Sequence, residues 1–244
     1  MKRSMIFLFL FCLFACQKVS VNVSNVIFGL TLSQHSLTAD GTTTINVSVQ
    51  LPPNADVTKR NIKFTATSGS WKGGTDSTIS VKAVFINNQL IAKAIYIAGS
   101  SPKETYITAQ PDQPDVSNNN FVLKDSLTVT VSPAATIQLM PSSFGINSNY
   151  QSEVTLTGIL KNASGNLVSI GTNVTFSDKL ADGSAANGQY RKSVLTSDAT
   201  STVSTIYSVG AYPVGTVINI TVTVLDASGK PTPIQDIVKL TVNK

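Results

Sequence analysis

One unit occurs twice in this chain. The run Ile95-Tyr96-Ile97-Ala98-Gly99-Ser100-Ser101-Pro102 returns as Ile206-Tyr207-Ser208-Val209-Gly210-Ala211-Tyr212-Pro213, an I-Y-x-x-G-x-x-P pattern displaced by 111 positions. At the same displacement, residues 125–131 read against 236–242. Ile62-Lys63-Phe64 reads against Val174-Thr175-Phe176 at 112, and residues 30–37 read against 137–144 at 107. The drift implies small insertions in the loops of the second copy. A repeat of just over 100 residues confines the fold to units that close their own core in that length, which is the size of one β-sandwich.

Periodicity sets the fold class. Ile45, Val47, Val49 and Leu51 alternate with Asn46, Ser48 and Gln50, and Ile218, Ile220 and Val222 alternate with Asn219 and Thr221. A period of two sends one apolar row inward and one polar row to water. Turn residues punctuate the runs: Asp40-Gly41, Pro52-Pro53-Asn54, Gly73-Gly74, Asn87-Asn88 and Ser228-Gly229-Lys230-Pro231. After the first 15 residues nothing shows a 3.6-residue apolar stripe. The pattern predicts an all-β chain of two tandem sandwiches, over residues 26–131 and 134–244, with seven or so short strands each. The joint falls near Ser132-Pro133-Ala134. A connection so short, with a proline in it, is stiff and limits rotation between the two units.

The N-terminus has its own anatomy. Lys2 and Arg3 precede an apolar run from Met5 to Ala15, too short for the roughly 20 residues that span a bilayer as a helix. The run ends Leu13-Phe14-Ala15-Cys16, which resembles the lipobox of a bacterial lipoprotein signal peptide, although Phe14 is bulkier than the residue usual there. The resemblance implies a leader over residues 1–15, a lipidated Cys16, and a tether over 16–25. The alternative is an ordinary secretory signal with an incidental cysteine. Cysteine arithmetic fits lipidation. Cys12 is lost with the leader, which leaves Cys16 alone and no internal disulfide. Two or three acyl chains, at about 0.8 kcal/mol per buried methylene, give a stable anchor. In the lipoproteins this resembles, a non-acidic residue such as Gln17 after the cysteine permits transfer to an outer membrane. The implied location is therefore the bacterial cell envelope, lipid-anchored, at the outer membrane where the cell has one.

The first copy carries a second resemblance. Leu37-Thr38-Ala39-Asp40-Gly41-Thr42-Thr43-Thr44-Ile45-Asn46-Val47-Ser48-Val49, then Ile62-Lys63-Phe64 with Thr67-Ser68-Gly69, then Thr105-Tyr106-Ile107-Thr108-Ala109, are similar to the group 1 bacterial immunoglobulin-like domains of invasin and intimin adhesins. The likeness covers roughly residues 27–110. The second copy lacks the Ala-Asp-Gly turn. The resemblance implies an Ig-like sandwich used as a stalk or adhesive module. Asp40-Gly41 itself reads as a backbone device, with glycine accepting positive φ and aspartate capping the turn.

The residues leave little room for catalysis. The chain has one histidine, His35, in the polar segment Ser33-Gln34-His35-Ser36. One histidine and one acylated cysteine build neither a zinc site nor a Cys/His or Ser/His pair. Ser100-Ser101-Pro102-Lys103 has the form S-x-x-K, but its partner motifs are missing and a proline lies inside it. Glu104 and Glu153, the two glutamates, fall in different repeats. Asp112, Asp115 and residues 118–120, and separately Asp178 and Asp182, form oxygen-rich loops. These read first as solvated Asx turns and only secondarily as calcium ligands. No metal and no cofactor is therefore expected. Without Lys2 and Arg3 the chain has 16 cations against 13 acids. They are scattered, the densest group being Lys59, Arg60 and Lys63, so nucleic acid is not the expected partner. Trp71, the one tryptophan, beside Lys72-Gly73-Gly74, is the candidate ligand contact: exposed, it could stack on a sugar or a protein; at a strand start, it is core. Tyr150, Tyr190 and Tyr212 are lesser loop candidates. The expected function is a non-enzymatic envelope lipoprotein that binds an envelope or extracellular protein. The alternative is a glycan-binding lipoprotein of a nutrient-uptake system, which needs Trp71 exposed.

Overall fold

A computed structural model of the chain describes residues 26–75, 77–112 and 121–244. The leader, Cys16 and the tether lie outside these residues, as do Asp115 and positions 118–120.

The chain is all-β. The strands of the first sandwich are β1 (Phe28–Leu32), β2 (Ser36–Thr38), β3 (Thr44–Leu51), β4 (Asn61–Ala66), β5 (Ser70–Trp71), β6 (Thr78–Lys82), β7 (Val84–Ile86), β8 (Gln89–Ile97), β9 (Lys103–Pro111) and β10 (Leu123–Thr130). Those of the second are β11 (Thr136–Pro141), β12 (Gly145–Asn147), β13 (Val154–Lys161), β14 (Asn173–Leu180), β15 (Gln189–Tyr190), β16 (Val194–Thr196), β17 (Thr202–Ser208), β18 (Val217–Leu225) and β19 (Pro231–Asn243). One sheet of the first sandwich runs β1-β3-β8-β5, with β7 also on β8, and the other runs β2-β10-β9-β4-β6. The second sandwich repeats both orders, as β11-β13-β17-β15 and β12-β19-β18-β14-β16. These are Ig-like sandwiches.

Both copies open with a strand that changes sheets. β1 pairs antiparallel with β3, and β2 then pairs parallel with β10. A serine makes the break. The Ser33 N–H donates to the Asn46 carbonyl, and the Ser33 hydroxyl accepts from the Asn46 N–H at 3.1 Å. Ser142 does the same against Thr155. The side-chain oxygen takes the donor that a continuing strand would have bonded, so pairing with that neighbour ends there.

The alternating rows point as expected. Ile45, Val47, Val49 and Leu51 are buried, as are Ile218, Ile220 and Val222. Each such side chain contributes about 1.5–3 kcal/mol. Two separate cores result, one from Ile27 to Val129 and one from Ile137 to Val242. Asn87 and Asn88 both take positive φ, as a two-residue hairpin between β7 and β8 requires.

The outer repeat matches need correcting. Tyr96 faces Ile45 and Tyr207 faces Val154; Leu37 faces Val129 and Ile146 faces Val242. Following the ladders, Leu37 corresponds to Ile146, a displacement of 109 rather than 107. Phe144, the partner read from sequence, is 67% exposed, whereas Ile146 is buried. Asp125 likewise faces Ile107 while Val238 faces Ile220, so the last strands correspond at 113 and not 111. A two-residue slip keeps every side chain on its face, so the apolar pattern cannot reveal it.

The joint is hydrogen-bonded as well as short. The buried Ser132 donates its N–H to Ser169 Oγ at 2.8 Å and its hydroxyl to the Leu167 carbonyl. Ser169 Oγ donates on to the Ala39 carbonyl, and the Ile170 N–H donates to the Ser100 carbonyl. Val131 would be an inward residue if β10 continued. The strand ends at Thr130, and Val131 is exposed beside the joint.

Candidate functional site

Trp71 ends β5, directly opposite Tyr96 on β8. It is 2% exposed, and its indole N–H donates to the Ser77 carbonyl at 3.2 Å. Its ring meets Tyr96 edge-on at 5.5 Å and Phe64 at 5.7 Å. With Phe64 and Tyr96 against it and almost no exposed surface, it offers no platform to a sugar. Trp71 as a ligand contact is therefore a reading the structure corrects. An indole buries a large apolar area when its N–H finds a partner, and here the Ser77 carbonyl is that partner.

The second sandwich rebuilds the same cluster. Tyr190 on β15 faces Tyr207 on β17, and the ring centroids lie 4.8 Å apart, with Phe176 6.1 Å from Tyr190. Phe64-Trp71-Tyr96 and Phe176-Tyr190-Tyr207 are one motif. The Tyr96 hydroxyl donates to the Ser68 carbonyl at 2.9 Å. The Tyr207 hydroxyl instead donates to Asp178 Oδ2 at 2.8 Å, which also accepts the Gly188 N–H at 2.7 Å. Burial, then the Asp178 carboxylate, push the Tyr207 phenol far up. Burial likewise raises the Tyr190 phenol, whose oxygen has no hydrogen-bond partner among the described residues. The Tyr212 hydroxyl donates to the Ala186 carbonyl. Of the tyrosine candidates only Tyr150 is well exposed.

Most of the described aspartates are spent on backbone N–H groups, while Glu104 accepts from the Tyr106 hydroxyl. Asp40 accepts the Thr42 and Thr43 N–H groups at 2.9 and 2.7 Å, beside Gly41 at φ 68°. Asp56, Asp182, Asp198 and Asp226 each accept an N–H two residues on, and each sits below the ordinary carboxylate range. For Asp56 the Thr58 N–H is the leading cause; for the other three it is a serine or threonine hydroxyl. Asp236 accepts from Leu139 N–H and Asp125 from Ser126 N–H. His35 reaches Asp125 at 3.1 Å on the surface. Asp178 and Asp182 do not converge: one is tied to Tyr207, the other caps Ser184. Among the described residues no three His, Cys, Asp or Glu side chains gather as metal ligands. Ser100 and Lys103 both line a groove of about 620 Å³ at the joint.

No protein-family model matches this chain, and no curated protein does. Among solved structures, invasin, described as a bacterial integrin-binding protein, superposes with a TM-score of 0.57 at 18% identity, over 88% of this chain and 39% of that one. The adhesin InvE of Yersinia pseudotuberculosis matches with a TM-score of 0.49 at 16% identity, over 91% of this chain and 60% of that one. InvD of the same organism matches with a TM-score of 0.40 at 18% identity, over 91% and 58%. This chain spans about 40–60% of the length of these structures. At such identity the invasin match establishes the shared Ig-like fold.

Proposed function

We propose that this chain is a non-enzymatic, lipid-anchored protein of the bacterial cell envelope whose two sandwiches act as a scaffold or adhesive module for a protein partner. The commitment of most of its described aspartates to backbone N–H groups, in turns and along strands, carries the reading. Those aspartates hold turns and strands in shape, and the surfaces left free are sheet faces, edges and loop tips, where binding modules make their contacts. The fold shared with invasin supports a protein partner, and the Leu13–Cys16 lipobox supports the anchor. The glycan-uptake alternative has lost its aromatic platform with the burial of Trp71.

Two experiments test this. Radiolabelled palmitate enters the wild type and not Cys16→Ser; equal labelling refutes the anchor. Pull-down from envelope and host-surface extracts recovers a saturable protein partner, whereas turnover in a broad hydrolase screen refutes the non-enzymatic reading.

A further inference from the structure

The charges of the second sandwich are sorted in space. Its described aspartates lie in turns or, as Asp178 and Asp236, turn to the inner side of their strands and bind backbone N–H groups. Lysines stand on the outer side. On the solvent face of the sheet β12-β19-β18-β14-β16, Lys179, Asn219 and Lys239 form one cross-strand row, since Lys179 faces Asn219 and Asn219 faces Lys239. Adjacent strands lie about 4.8 Å apart, so the two lysines flank the amide at roughly 10 Å. The next rows carry Ser177, Thr221 and Ile237, then Thr175, Thr223 and Gln235. Among the described residues this face carries no carboxylate, and no salt bridge ties Lys179 or Lys239 to one. Along the chain the nearest acids are Asp178, next to Lys179, and Asp236, three residues before Lys239, and both turn inward; Asp182, in the turn beyond β14, is held by Ser184.

We propose that this face binds a linear acidic polysaccharide whose sugars carry carboxylates. Two unneutralised ammonium groups attract a polyanion, and the amide and hydroxyls between them suit sugar hydroxyls. Other polyanions fit less well. Single-stranded nucleic acid needs aromatic side chains interleaved with the cations, and this face has none. A protein hot spot needs Trp, Tyr or Arg in a desolvated centre, and a membrane surface needs a contiguous apolar patch, whereas the exposed Ile237 on β19 and Val194 on β16 stand apart on this face. The proposal goes beyond the scaffold reading: it requires neither the lipid nor a protein partner, and either can fail alone.

The test uses the purified full chain on immobilised polygalacturonate, with neutral dextran and a 20-bp DNA duplex for comparison. Binding to polygalacturonate is expected at 50 mM salt, falling steeply towards 500 mM, with none to dextran. Each lysine contact in water is worth about fivefold in affinity, so Lys179→Gln with Lys239→Gln loses about 25-fold. Thr221→Glu, which adds a carboxylate and removes no lysine, produces a comparable loss, so the result does not hang on one variant's folding. Lys93→Gln with Lys161→Gln removes the same charge from other strands and leaves binding within about twofold. Equal loss in that control overturns the proposal, as does tighter binding to the duplex or no binding to polygalacturonate at 50 mM salt.

Discussion

Replacing Asp40 by alanine should lower the melting temperature of the first sandwich by about 15 °C. The residue is 3% exposed and its carboxylate accepts hydrogen bonds from the Thr42 N–H, the Thr43 N–H and the Thr43 hydroxyl, with a longer one at 3.5 Å from the Asn166 side-chain amide. Alanine strands two backbone donors in a turn packed against the joint. Each unsatisfied donor costs about 1–3 kcal/mol, so the two cost about 2–6 kcal/mol, and about 3 kcal/mol, in the lower part of that range, is expected because Thr42 lies on the surface. A sandwich of about 100 residues moves roughly 5 °C per kcal/mol. Asparagine keeps one oxygen for the two N–H groups and loses the acceptor for the Thr43 hydroxyl, so Asp40→Asn should cost about 1 kcal/mol, or about 5 °C. The pH dependence follows from the same contacts. Burial would raise the Asp40 pKa, but the Thr43 N–H, the Thr43 hydroxyl and the Thr42 N–H together outweigh it and hold the carboxyl low. A folded pKa below the unfolded value of about 3.9 means the contribution is full above that value and fades as pH falls through the folded pKa. The gap between wild type and Asp40→Asn should therefore be widest near pH 7 and shrink below about pH 4. Differential scanning calorimetry of the full chain at pH 7 and pH 3 measures it. An alanine variant melting within about 3 °C of wild type, or an asparagine variant as damaged as alanine, refutes the reasoning.

Trp71→Ala should cost about 3–5 kcal/mol by emptying the Phe64-Tyr96 cluster, read in urea denaturation midpoints; a surface tryptophan would give a change near zero. Tyr190→Phe should be neutral or stabilising because its oxygen lacks a partner, whereas Tyr207→Phe should cost about 1–3 kcal/mol by stripping Asp178 of a donor; thermal melts that rank the two the other way would contradict the hydrogen-bond assignment.

Much of the architecture is readable from residues alone, because alternation, turn chemistry and the I-Y-x-x-G-x-x-P repeat act locally. Asp40-Gly41 is legible as a turn cap for the same reason. The equivalence of Trp71 and Tyr190 is not. Those positions are 119 apart while Tyr96 and Tyr207 are 111 apart, so an insertion between them hides the match, and the two residue types differ. The burial of Trp71 is hidden too, since Lys72-Gly73-Gly74 makes its surroundings look like a loop. The row of Lys179, Asn219 and Lys239 spans three strands and 60 residues, and only the ladder registers bring it together. The slip of two in the outer strands escapes any reading built on apolar pattern, as every candidate register keeps the same face inward.

The strand that changes sheets has a mechanical consequence. β2 lies parallel to β10, and β12 parallel to β19, so in each sandwich the second half of the opening strand runs alongside the last strand. A pull applied between the two ends of a sandwich draws such a pair in opposite directions along its own length. Bonds such as the Thr128 N–H to the His35 carbonyl and the Ala39 N–H to the Thr130 carbonyl then share the load at once and must rupture together. A hairpin pulled from its open end gives way one bond at a time. Two sandwiches in series, each latched in shear, would hold a tensile load along the chain without lengthening until a latch fails whole.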